Sequence, residues 1–218
     1  MTTMHPLEFP KPRPDNLITV PACEPCNAGT SHDDEHLRAY FALSYESERT
    51  PALDAVRETV RRSMTREGFG GLQESFARRS SFEWLSESGG CILTLQPRMT
   101  PDMARVLGVV VKNVRGMFHH VTGRTLPPEV QVTVLAEHQV AKMPREGQRA
   151  AHRWLHIARQ GAKGSRGEGV FGFTLRVTDD NPNSFAAGVI YFRAFAFIAA
   201  SVSANLDSRL LAVPPHRL

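Results

Sequence analysis

A chain of 218 residues with 41% hydrophobic and 22% charged side chains can bury a real core, and this composition argues against disordered and fibrous classes. Lys and Arg number 26 against 22 Asp and Glu, a formal charge of +4 that suits a polyanionic partner without demanding one. Three cysteines, two of them in a CxxC, argue against a disulfide framework and for a metal or redox role; with no apolar signal core and no membrane-length run, a cytoplasmic protein is expected.

Taken in order, Pro6, Pro10, Pro12 and Pro14 impose an extended path, Leu17–Val20 is a short strand-like run, and Cys23-Glu24-Pro25-Cys26 turns the chain. Ser31 is a good N-cap, and acids at Asp33, Asp34 and Glu35 suit a first turn, so a helix is expected over 32–45 with Leu37, Tyr40, Phe41 and Ser44 inward. Thr50-Pro51 starts a second helix with Leu53, Val56, Val60 and Met64 as its stripe, ended by Gly68, Gly70 and Gly71. A short helix over 72–79 precedes two strands, 81–87 and 91–96, joined at Gly89-Gly90, with Cys91 and Trp84 assigned to the core.

Thr100-Pro101 repeats the helix-start signal. Met103, Val106, Leu107, Val110, Val114, Met117, Phe118 and Val121 then give the strongest helical periodicity in the chain, with Gly123 placed to stop it. Pro127-Pro128 precedes an alternating strand over 130–135, and residues 144–160 read as a helix with Ala151, Trp154, Leu155 and Ala158 inward. Residues 161–169 read as a basic glycine-rich loop. Strands over 170–178 and 187–195 flank a turn at Asp179–Asn183, the second running on or bending into another through Val202. The tail after Leu211 is proline-rich and reads as frayed. The expected class is α+β: a small strand-knuckle-helix unit at 1–47, then helices on an antiparallel sheet at 48–218, a domain of unassigned role.

The stretch that carries chemistry is FPKPRPDNLITVPACEPCNAGTSHDDEHLR, Phe9 to Arg38. Two thiolates on a tight knuckle grip zinc, but they are half of the four ligands that a structural site takes. His32 and His36 share a helix face, at a spacing from Cys26 that is short for a finger. The stretch resembles the second half of the HNH-endonuclease-like family, in which a first CxxC and a His-bearing hairpin precede an Asn-Leu strand, a second CxxC and a helix. The long remainder also resembles the C-terminal region of some bacterial members.

The resemblance implies metal-dependent hydrolysis of a phosphodiester. A hairpin histidine would activate water, and a divalent cation such as magnesium would stabilise the leaving oxygen. It makes Asn16 the middle Asn that braces the hairpin, Asn27 the metal-holding position, and Cys23 and Cys26 half of a structural zinc site. Only eight residues precede Phe9, none of them cysteine, so the first CxxC and the catalytic pair are missing and His5 is the sole candidate base. The expectation is a degenerate or N-terminally truncated member. The competing reading is a non-enzymatic α+β nucleic-acid-binding or interaction module with a vestigial CxxC.

Elsewhere, His152 and His156 stand four apart as in zinc proteases, but Arg153 occupies the position where those enzymes need Glu. With Arg145, Arg149, Arg159 and Lys163 they form a basic stripe instead, and Arg105, Lys112, Arg115 and His119 share a polar face of the central helix. Both stripes are solvated faces by default. Arg105, Lys112, Arg115, Arg149 and His152 are the candidates for contact with nucleic-acid phosphates. The GAKGSRGEG run lacks a phosphate-loop pattern, and Asp179 and Asp180 are turn formers.

Overall fold

The structure is a computed structural model that describes residues 2–3, 18–20, 31–44, 50–65, 74, 77–86 and 93–201. The elements in chain order are β1 (Thr2–Thr3), β2 (Thr19–Val20), α1 (Ser31–Leu43), a 3-10 turn Pro51–Leu53 running into α2 (Asp54–Thr65), β3 (Ser80–Ser86), β4 (Leu93–Met99) and α3 (Met103–Thr122). There follow β5 (Val132–Ala136), α4 (Glu137–Lys142), α5 (Arg145–Arg159), β6 (Ala162–Arg166), β7 (Phe171–Val177), β8 (Phe185–Tyr191) and β9 (Phe195–Ser201). The class is α+β, as expected.

Helix α3 is the spine. Asp102 caps its start, accepting from the Arg105 amide at 3.4 Å, and Gly123 ends it in the left-handed conformation, φ 70°, with its amide donating to the His119 carbonyl at 2.8 Å. Val106, Val109, Val110, Val114, Met117 and Phe118 are buried along one side, following the apolar period of the sequence.

The main sheet is antiparallel throughout, in the order β5-β9-β8-β7-β6. Its two faces differ in residue size because strand side chains alternate. One face carries Phe171, Phe173, Phe185, Tyr191, Phe195 and Phe197 against α3 and α1; the other carries Ala186, Ile198 and Ala200 against Ala151, Trp154 and Ala158 of α5. The sheet is thus the middle of three layers. Phe41 of α1 lies 4.7 Å, ring to ring, from Phe195 and 5.1 Å from Tyr191. The helix assigned from sequence to the 1–47 unit therefore shares one hydrophobic core with the sheet of the 48–218 region. No described helix is long and apolar enough to cross a membrane.

One local expectation is corrected. The stretch 161–169 is not a loop: Ala162–Arg166 pairs with β7 as an edge strand, and a 3-10 turn follows at Gly167–Gly169. An edge strand is paired on one side only and tolerates Lys and Gly. Gly164 is required there, because a Cβ would lie 2.4 Å from the Phe173 ring. Of the two courses expected after Ala187, the apolar run takes the second: it bends into another strand, divided at Phe192 and Arg193, whose φ values of 53° and 57° make a tight left-handed turn. Burying Phe192 against Phe41 compensates for a turn that lacks glycine. Residues 137–142, unassigned from the sequence, are helical, with Gln139 Oε1 accepting from the Ala136 amide at 2.9 Å.

The β3–β4 hairpin pairs Ser80 with Met99 through Ser86 with Leu93, and Pro97 stands opposite Phe82. Its expected turn at Gly89-Gly90 and Cys91 lie outside the described residues, as do Gly68, Gly70, Gly71 and the tail after Ser201; of the expected 72–79 helix, Glu74, Ala77 and Arg78 are described as helical.

Candidate functional site

His5, Asn16, Cys23, Cys26 and Asn27 lie outside the described residues. What frames them is described. Thr2 pairs with Val20 and Thr3 with Thr19, antiparallel, so a strand segment precedes β2, and α1 begins at Ser31 on the far side of the knuckle. Its first turn carries Asp33 and Asp34, where the helix dipole favours acids.

These acids are turned to α3. Asp33 meets Arg105 at 3.5 Å and Asp34 meets Lys112 at 3.9 Å, while Asp102 holds Arg79 at 2.7 Å and Arg105 at 3.8 Å. Burial raises the Asp34 carboxyl above its ordinary range, opposed by the positive charge of Lys112 and Arg38, and its Oδ1 has no hydrogen-bond partner among the described residues. His36 is buried in the same seam, 6% exposed, and burial followed by the charge of Arg105 lowers its pKa. Beneath it, Asn113 Nδ2 donates to the Tyr191 hydroxyl at 2.7 Å, linking α3 to β8 inside the core. Complete burial pushes the Tyr191 phenol far above its ordinary value.

The five cationic candidates fall into two sets. Arg105 and Lys112 are engaged by the acids of α1 and by the α3 cap Asp102, and Arg115 donates to the carbonyls of Leu126, Pro127, Pro128 and Val130, the last at 2.6 Å. Arg115 thereby holds the proline-broken segment that leads into β5. Arg149 and His152, by contrast, are exposed on α5, and with Glu146, Arg153, His156 and Ile157 they line an open groove.

Sequence reasoning missed the Asp33 and Asp34 pairings and the Asn113–Tyr191 bond. A signal for the bond was present: Asn113 adjoins Val114 inside the apolar stretch of the central helix, and a buried amide needs a partner. The pairings had none, because α1 and α3 are far apart in the chain.

As to metal, the described residues contain no group of three His, Cys, Asp or Glu that could hold an ion. His36 is buried against α3, with the cations Arg105 and Arg79 and the acids Asp102 and Asp33 around it. Compared with known proteins, the chain matches no family model, no curated protein and no solved structure.

Proposed function

We propose that this chain is an HNH-endonuclease-like protein directed to nucleic acid, carrying the second half of the metal-supported motif. The observation that carries the reading is chain order. Antiparallel β1 and β2 are followed by Cys23, Cys26 and Asn27 and then by α1, the strand-strand-helix sequence that the resemblance requires around its knuckle.

In this reading Cys23 and Cys26 supply two thiolates to a structural zinc, Asn16 steadies the strand segment, and Asn27 would hold a catalytic cation such as magnesium. His5 is the only histidine ahead of the knuckle and the only candidate base from that side. A bound divalent cation would supply charge stabilisation for the leaving oxygen of a phosphodiester. Hydrolysis requires ligands and a positioned base beyond these residues, so the residues present supply half of the family's motif.

Zinc analysis tests the knuckle. The purified chain is expected to retain zinc that Cys23→Ser and Cys26→Ser both lose. Equal and negligible zinc in all three proteins sinks the metal reading and leaves the non-enzymatic module.

A further inference from the structure

We infer that the outer face of α5, extended by Lys163 on the neighbouring edge strand β6, is the surface on which the phosphate backbone of double-stranded DNA docks. The inference rests on the nucleic-acid part of the reading above but not on the knuckle.

The helix divides cleanly. Gly147, Ala150, Ala151, Trp154 and Ala158 are buried toward the sheet, while Arg145, Arg149, His152, Arg153, His156 and Arg159 are exposed and recur at intervals of three and four on the opposite side. None of the four arginines makes an ion pair or side-chain hydrogen bond with any described residue, unlike Arg105, Lys112 and Arg115 of α3. Lys142 just ahead of the helix and Lys163 just after it are exposed too, and Glu146 is the lone acid of α5. Six cations against that acid exceed the formal excess of +4 for the entire chain. The positive charge is therefore concentrated in this layer.

Folding does not explain the concentration. Arg145 and Arg149 occupy the N-terminal turns, where the helix dipole opposes cations, and Arg145–Arg149 and Arg149–Arg153 are like-charged pairs four apart. Such a face is stabilised when an external polyanion neutralises it. The cations extend along about 20 Å of helix, a length that passes several phosphates of a duplex.

The choice of duplex DNA follows from shape and composition. Among the described residues no Phe, Tyr or Trp is exposed on this face, since Trp154 is buried, and its only rings are the imidazoles of His152 and His156, so the face favours contact with phosphates over stacking of unpaired bases. A helix exposed on the outer layer can approach the wide major groove of B-form DNA, whereas the deep, narrow groove of A-form RNA excludes it.

The test is fluorescence anisotropy with a labelled 20-base-pair DNA across a salt series, using the full chain and R149E/R153E. The double variant is expected to bind at least about tenfold more weakly and to lower the slope of log K against log salt by about 2. R61Q on α2, an exposed arginine paired with Glu58, should stay within about twofold of the parent. The neutral pair R149Q/R153Q should fall between the parent and R149E/R153E, which keeps the result separate from any misfolding of the reversal. Binding by the parent that both α5 variants leave unchanged overturns this surface while sparing the proposed function. No binding by the parent overturns both the surface and the nucleic-acid reading, and tighter binding of an RNA duplex of the same sequence overturns the choice of DNA.

Discussion

Asn113 and Tyr191 form the one buried polar bond that joins α3 to the middle of the sheet among the described residues, at 2.7 Å with both side chains almost wholly enclosed. Removing the hydroxyl leaves the Asn113 amide unsatisfied, so Tyr191→Phe should cost about 1–3 kcal/mol in urea unfolding. The Phe192–Arg193 turn makes a second residue-scale prediction. A β-branched residue is poorly tolerated at positive φ, whereas Asn adopts it readily, so Arg193→Val should destabilise by roughly 1–2 kcal/mol and Arg193→Asn by much less. Equal losses would mean that the Arg193 side chain, not its backbone, matters. His36 sets a pH dependence. Its folded pKa lies below the ordinary 6.5, so at mildly acidic pH the unfolded chain binds more protons than the native one. The stabilising contribution is complete above the unfolded value and is lost as pH falls through 6.5 toward the folded value. His36→Gln should flatten the fall in melting temperature over that window.

Among the elements, α1 connects the knuckle to the body. Its Phe41 ring sits among Tyr191, Phe192 and Phe195, and truncation there opens a cavity at the junction of helix and sheet. Phe41→Ala should cost about 3–5 kcal/mol in the same unfolding measurement, and a loss under about 1 kcal/mol would show that α1 does not belong to the core. Elements with a local signature were legible in the sequence. The α3 stripe, its Gly123 stop and the Pro51 start of the second helix all came from periodicity and terminal chemistry. Elements that depend on neighbours were not. β6 is a strand because β7 lies beside it, and the position of the β8–β9 turn rests on a pocket for Phe192 that no local pattern announces. The same contrast governs the cations: Arg105 and Arg149 look alike in the sequence, and only the fold pairs the first with Asp33 and leaves the second exposed.

At the scale of the molecule, a three-layer body carries partly exposed acid-cation pairs between α1 and α3, and on the outer face of α5 arginines that make no ion pair with a described residue. The knuckle lies in the chain between β2 and α1, and the proposed docking face is on α5, across the sheet from α1. A nucleic-acid partner unites them, and electrostatic docking of this kind must release counterions from the polyanion. The most direct measurement is the affinity of the unmodified chain for duplex DNA as salt is raised. The account predicts binding whose log K falls linearly with log salt, with a slope of roughly −0.9 for each phosphate engaged. Absent binding, or binding that does not respond to salt, would contradict it.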